Sequence, residues 1–115
     1  MRKLEFPKDK GRFLIDLLSS EDKFTVLERL VIGDTIAAYV LCGHKAFTWG
    51  HFYRAAFCSV APESEGKIVV TVSHLNLQRA WHGLNLFRFQ DKQIEGEVAD
   101  YIVHKIPGGK NVSGD

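Results

Sequence analysis

The clearest pattern in the chain is Lys67-Ile-Val-Val-Thr-Val-Ser-His74, where four β-branched aliphatic residues and a threonine stand with nothing to break them. Such a run predicts a central strand covered on both faces. Further upstream, Phe13, Leu14, Leu17 and Leu18 form one apolar stripe at helical spacing, so Asp9–Leu18 predicts an amphipathic helix capped by Asp9. The basic lead-in Met1–Lys10 carries Pro7, and its Leu4 and Phe6 predict a short edge strand. Gly33-Asp34 separates Phe24-Thr-Val from Thr35-Ile-Ala-Ala-Tyr-Val and favours a hairpin, because glycine supplies the positive φ of a tight turn. Phe24, Leu27, Leu30 and Val31 also fit a helical face, and periodicity does not separate the two. Phe47–Val60 predicts a strand with a bulge at Gly50, and Ala61–Gly66, with its Pro62, a loop. Asn76–His82 reads either as a strand running into Leu84–Phe89 or as a short helix capped by Gly83.

In the last third, Leu84–Phe89 and Ile94–Val103 flank four polar residues, Gln90-Asp-Lys-Gln93, which favours an antiparallel hairpin. A helix over Gln93–His104 is the rival, because Ile94, Val98 and Ile102 recur every fourth residue; Gly96 and Tyr101-Ile-Val103 weigh against it. The polar stretch after Ile106 reads as a frayed end, giving a single domain over 1–106 and a flexible tail over 107–115. The expected fold is α+β, an N-terminal helix packed on a curved antiparallel sheet of four to six strands.

Composition narrows the function classes. A chain of 115 residues with a formal net charge of +1 is one ordinary domain with no global attraction to nucleic acid or anionic membrane. The longest apolar run, Ile36–Cys42, is far too short to span a bilayer, and the first residues lack the apolar core of a signal peptide, so the expected location is the cytoplasm. A DNA-reading helix-turn-helix is disfavoured: Arg29 stands where a small residue is needed, and Asp34–Cys42 has no Lys or Arg.

Two segments carry a family likeness. Phe24–Ile32, Gly33-Asp34, Thr35–Cys42 and Gly43 form a strand, Gly-Asp turn, strand, Gly unit, and Gly83 precedes a run containing Phe87-Arg-Phe89, a polar turn and Ile94. In this order they resemble the SnoaL-like polyketide cyclases of the nuclear transport factor 2-like superfold. The resemblance implies a cone-like α+β barrel with a pocket between sheet and helices, where a carboxylate base and a polar partner handle enol chemistry. The family's His column falls on Leu84 and its Asp column on Ala99, so cyclase chemistry itself is not implied. His82, two residues before Leu84, shares its strand face, while Asp100 falls opposite Ala99 and Glu95, Glu97 and Tyr101 fall beside it. The catalytic candidates are therefore His82, Glu97 and Asp100. Two family helices that normally precede the first one here are missing, which leaves the expected cone open and suggests a homodimer in which the partner covers the exposed sheet.

The remaining candidates are weighed on residue chemistry. Cys42, His44, His51 and Cys58 could only form a zinc site across two or three strands, with no tight Cys pair, and the two cysteines read rather as buried free thiols. Cys58 paired with His51 or His74 would be a poor nucleophile in an apolar strand that keeps its thiol protonated. Trp49, His51, Tyr53, Arg54, Arg79, Trp81, His82 and Arg88 mix aromatic and basic groups as single-strand nucleic-acid surfaces do, but five cations against two glutamates over Gly43–Gln90 are too few for a phosphate-tracking groove. The expectation is a small-molecule-binding protein without a cofactor, its apolar pocket lined by Tyr39, Trp49, Phe52, Tyr53, Trp81, Phe87 and Tyr101. An isomerase, cyclase or dehydratase is the second reading, and a protein-interaction or single-strand nucleic-acid module the third.

Overall fold

The computed structural model describes residues 1–43, 54–64, 66–75, 77–81, 84–89 and 92–112, with backbone only for 64, 77–81 and 84–89. The chain is α+β. Strand β1 (Arg2–Pro7) leads through a 3-10 turn (Lys8–Lys10) into helix α1 (Gly11–Ser19). Strands β2 (Thr25–Ile32), β3 (Ile36–Cys42), β4 (Ala55–Ser64) and β5 (Lys67–Leu75) follow as an antiparallel meander. Among the described residues, β6 (Leu77–Trp81) and β7 (Leu84–Phe89) pair with each other in a separate two-stranded sheet, and helix α2 (Gln93–Lys105) and the two-residue β8 (Lys110–Asn111) follow. The main sheet has the order β2-β3-β4-β5-β1-β8, and its two outer strands do not pair, so it is open.

One face of this sheet makes the core. Ile68, Val70 and Val72 of β5 point the same way as Leu4 and Phe6 of β1 and as Cys58 and Val60 of β4, and all are buried. Both helices pack on that face, with Leu14 and Leu18 from α1 and Ile94, Val98 and Ile102 from α2 in the same cluster. β5 is central, as its composition predicts. Its other face is not covered alike: Val69 is buried, but Thr71 and Ser73 are half-exposed.

The Gly33-Asp34 turn is present, with Gly33 at φ 69° joining an antiparallel β2–β3 ladder that closes on Ile32 and Ile36. The alternative helix over this segment does not form. Three expectations need correction. Asp9 does not cap α1; it sits in the 3-10 turn, and Lys10 precedes the helix without a side-chain cap. β4 runs through Pro62 to Ser64 instead of looping at Ala61, and a register shift between Pro62 and Ser64 accommodates the missing amide hydrogen beside the Gly66 turn. Phe47–Tyr53, the first half of the strand predicted there, lies outside the described residues. β1 is not an edge strand, since β5 and β8 flank it.

The largest correction is at Ile94–Val103, which is helical rather than the second arm of a hairpin with Leu84–Phe89. Glycine at position 96 costs a helix about 1 kcal/mol relative to alanine. Complete burial of Ile94, Val98 and Ile102 on one face contributes roughly 1.5–3 kcal/mol for each side chain and decides the outcome. Of the stretch expected to fray, Lys110 and Asn111 pair with Glu5 and Leu4, and the Val112 amide donates to Lys3 O at 3.0 Å. Residues 113–115 lie outside the described residues. No helix among the described residues is long and apolar enough to cross a membrane.

α1 begins with its first residue pressed against the β2–β3 turn: a Cβ on Gly11 would lie 2.8 Å from Asp34 O and 2.8 Å from Ile68 Cδ1. Gly11→Ala gains at most about 1 kcal/mol of helix propensity. It also forces an overpacked contact against a backbone carbonyl that cannot rotate away, a cost of typically 1–3 kcal/mol. The expected net result is a destabilisation of about 1 kcal/mol, read as a lower urea midpoint at unchanged slope.

Candidate functional site

At one end of the helix-covered face the apolar rows give way to basic residues. The inward row of β5 continues from Val72 to His74, that of β4 ends at Arg54, and that of β1 ends at Arg2. All three meet the start of α2, which supplies Glu95 in its first turn and Glu97 just beyond it. Glu95 is 93% buried, and every polar neighbour it has among the described residues is a donor. The His74 amide donates to its Oε2 at 3.0 Å, the His74 imidazole bonds to the same oxygen through Nδ1, and the Met1 amine lies 2.9 Å from Oε1. Burial works against the charge, but the imidazole, the amine and the amide outweigh it and hold the carboxyl down at about 2. An ionised carboxylate only accepts, so Nδ1 carries the proton and Nε2 is the nitrogen left with a lone pair on the neutral ring. Glu97 pairs with Arg54 on the other flank, where its partial exposure keeps the pair weak. Arg2 lies over the helix backbone, its Nη2 3.4 Å from where a Cβ on Gly96 would stand.

A second feature opens along the opposite flank of α2. Gly96, Ala99, Asp100, Val103 and His104 follow the i, i+3, i+4, i+7, i+8 pattern and face the β1–β8 edge. There a cleft of about 450 Å³ is bordered by Leu4, Ala99, Asp100, Val103, His104 and Asn111. Asp100 and His104 are one turn apart and both exposed, which puts a carboxylate and an imidazole on the same opening.

The residues expected to form a site scatter. Asp100 lines this cleft. Glu97 is on the far flank with Arg54, not beside Ala99, because helical rather than strand geometry sets which residues share a face. For the same reason Glu95 is a buried ion and not a solvated one. Tyr39 is wholly buried, and its hydroxyl donates to Ile15 O at 3.2 Å and bonds Ser19 Oγ at 2.9 Å, tying β3 to α1. Tyr101 is buried on the flank of Glu97, edge-on to Phe24 with ring centroids 5.5 Å apart, and its hydroxyl has no hydrogen-bond partner among the described residues. Trp49, Phe52, Tyr53 and His82 lie outside the described residues, as do the side chains of Trp81 and Phe87.

The thiols divide between the two faces: Cys58 stands opposite Tyr39 on the helix side, and Cys42, three residues beyond Tyr39 in β3, points the other way. They therefore do not converge on one ion, and no cluster of three or more His, Cys, Asp or Glu occurs among the described residues. Burial pushes the Cys58 thiol up to about 12, which keeps it protonated and unreactive at neutral pH.

Two groups escaped the sequence reading. His104 is signalled by the spacing Asp100-x3-His104, which has meaning only once the run is taken as a helix. Glu95 and His74 are 21 residues apart, and nothing local announces their contact. Comparison with protein-family models, with curated proteins and with solved structures finds no match for this chain.

Because the carboxyl of Glu95 titrates near 2 in the fold against an ordinary 4.5, its stabilising effect is complete above the upper value and is lost as pH falls toward the lower. Glu95→Gln should therefore lower stability at neutral pH. The gap from the parent protein should close by about 2 kcal/mol between about pH 5 and about pH 2, measured by urea unfolding at each pH.

Proposed function

We propose that the protein binds a small, partly apolar molecule in the cleft between α2 and the β1–β8 edge. The observation that carries this reading is the character of that cleft: about 450 Å³, with Leu4, Ala99 and Val103 for apolar contact and Asp100, His104 and Asn111 as polar groups. Ligand sites usually measure roughly 300–1,000 Å³ and combine an apolar wall with a few polar groups. The ligand is assigned here rather than between sheet and helices because that space is occupied by Phe6, Leu14, Val70, Ile94 and Val98, all fully buried.

An isomerase, cyclase or dehydratase acting in the same cleft is the second reading. Its support is the pair Asp100 and His104, one turn apart on one opening, which suits a base and a polar partner. A SnoaL-like origin has the β2–β3 unit with its Gly33 turn in its favour; a closed cone would need an element beyond the described sheet. A homodimer belongs to this reading as well. Leu30, Ile32, Ile36 and Phe57 are exposed on the sheet face away from the helices, where a second subunit would gain apolar burial. Sedimentation at micromolar concentration should give a dimer mass, and a monomer would remove that element.

A thermal-shift screen against small apolar and amphipathic metabolites tests the main claim. A ligand at ~100 times its dissociation constant adds ~2.7 kcal/mol, several degrees for a domain of this size. Val103→Trp fills the cleft from an exposed rim position, so it should abolish the shift while moving the unliganded midpoint by under about 2 °C. A shift that survives Val103→Trp would place the site elsewhere, and a shift only with oligonucleotide would favour the third reading.

A further inference from the structure

We propose that His74 is a general base for proton transfer on a small carboxylate, with Glu95 as its positioning residue and Arg2 as the anion anchor. This goes beyond ligand binding in the α2–β8 cleft and uses different side chains. The imidazole is fixed twice, since the backbone amide and the ring Nδ1 of the same residue both donate to Glu95 Oε2. That chelate sets the ring plane and the tautomer, as an orienting carboxylate does for a catalytic histidine. Nε2 has no partner among the described residues, and about a quarter of the side chain (23%) is exposed while Glu95 beneath it is only 10% exposed. The pair thus leaves one ring nitrogen without a partner among the described residues, beside a buried, charged carboxylate.

Arg2 gives the substrate class. It pairs with Val72, two residues before His74, so Arg2 and His74 are diagonal neighbours on the same face of adjacent strands, with about 7–8 Å between backbones. Its guanidinium lies over Gly96 and has no carboxylate partner among the described residues, whereas Arg54, the next cation along the row, is paired with Glu97. A 2-oxo carboxylate held bidentately by Arg2 would bring a C–H bond on the far side of its ketone toward Nε2. In the step proposed, the Nε2 lone pair takes the proton of that C–H bond and the bonding electrons remain on the substrate as an enolate. The Nδ1 proton stays in its bond to Glu95, which stabilises the imidazolium. Return of the proton to the same or the conjugated carbon restores the neutral imidazole and leaves an exchanged or isomerised carboxylate, with no oxidant or second reactant consumed.

Two measurements on the full chain test this. Carbethoxylation by diethyl pyrocarbonate, followed by peptide mass, should label His74 several-fold faster than the more exposed His104. Pyruvate should protect His74 in the parent protein but not in Arg2→Ala, and Glu95→Gln should slow labelling of His74 severalfold. In deuterated buffer, pyruvate should gain deuterium at its methyl group faster than in buffer alone. His74→Gln, which retains a donor for Glu95, should reduce that gain at least tenfold with an unchanged urea midpoint. Labelling of His74 no faster than His104, protection that persists in Arg2→Ala, or exchange unaffected by His74→Gln would each overturn the proposal.

Discussion

Everything in this fold depends on α2 lying with Ile94, Val98 and Ile102 against the inward rows of β5, β1 and β4. Without that helix the sheet would expose Val70, Val72 and Leu4, and the four-residue spacing of the three aliphatics would have nothing to pack on. The contact also fixes the rotation of α2 about its axis. Once that rotation is set, Glu95 must point at β5, Glu97 and Tyr101 must fall toward β4 and Phe24, and Asp100 and His104 must fall toward β8. The chemistry of each flank is a consequence of which residues the apolar stripe leaves to either side.

The same constraint explains why the charges gather at one end. Each of the three inward rows runs apolar for several residues and then changes to a base: Phe6 and Leu4 to Arg2, Val60 and Cys58 through Ala56 to Arg54, and Ile68, Val70 and Val72 to His74. Three cations half-buried beside one another would repel. The start of α2 brings Glu95 and Glu97 to meet them, at the end of the helix where its dipole also favours negative charge. Glu95 is buried deeply enough that an unpaired ion would be ruinous, and three donors remove that cost.

How much of this could be read from the chain follows from the range of each signal. The α1 stripe, the uninterrupted β-branched run of β5 and the Gly33 turn are local, and the helix, the strand and the turn all form, although Phe13 stands exposed and β5 is fully covered on one face only. The run from Ile94 to Val103 carries two local signals in conflict. Repetition every fourth residue fits a helix and, being even, also one face of a strand. Only the surface waiting for it decides, and that surface comes from β1, β4 and β5. β8 has no local signal at all: two polar residues pair with β1, and just before them Gly109 passes so close to the Phe6 ring that a Cβ there would lie 2.6 Å from it. The candidate site inherits these limits. Asp100 was visible as a carboxylate of interest, but as a strand residue turned away from Ala99, whereas the helix sets both on the rim of one cleft with His104.

The two ends of α2 therefore differ in kind. At its start the carboxylate is saturated with donors and titrates near 2, so Glu95 neither gives nor takes a proton at physiological pH. Its capacity is to orient: it holds the imidazole of His74 by one nitrogen and thereby determines what the other can do. Two turns on, Asp100 and His104 stand in solvent without such constraint, suited to meeting a ligand's polar groups as they arrive. Preorganised charge belongs where bonds are made and broken, because a fixed group need not reorganise as the reaction proceeds. Adaptable charge belongs where molecules are recognised at an open surface. On that physical distinction, proton transfer is more at home at the buried end of the helix, and recognition at the exposed one.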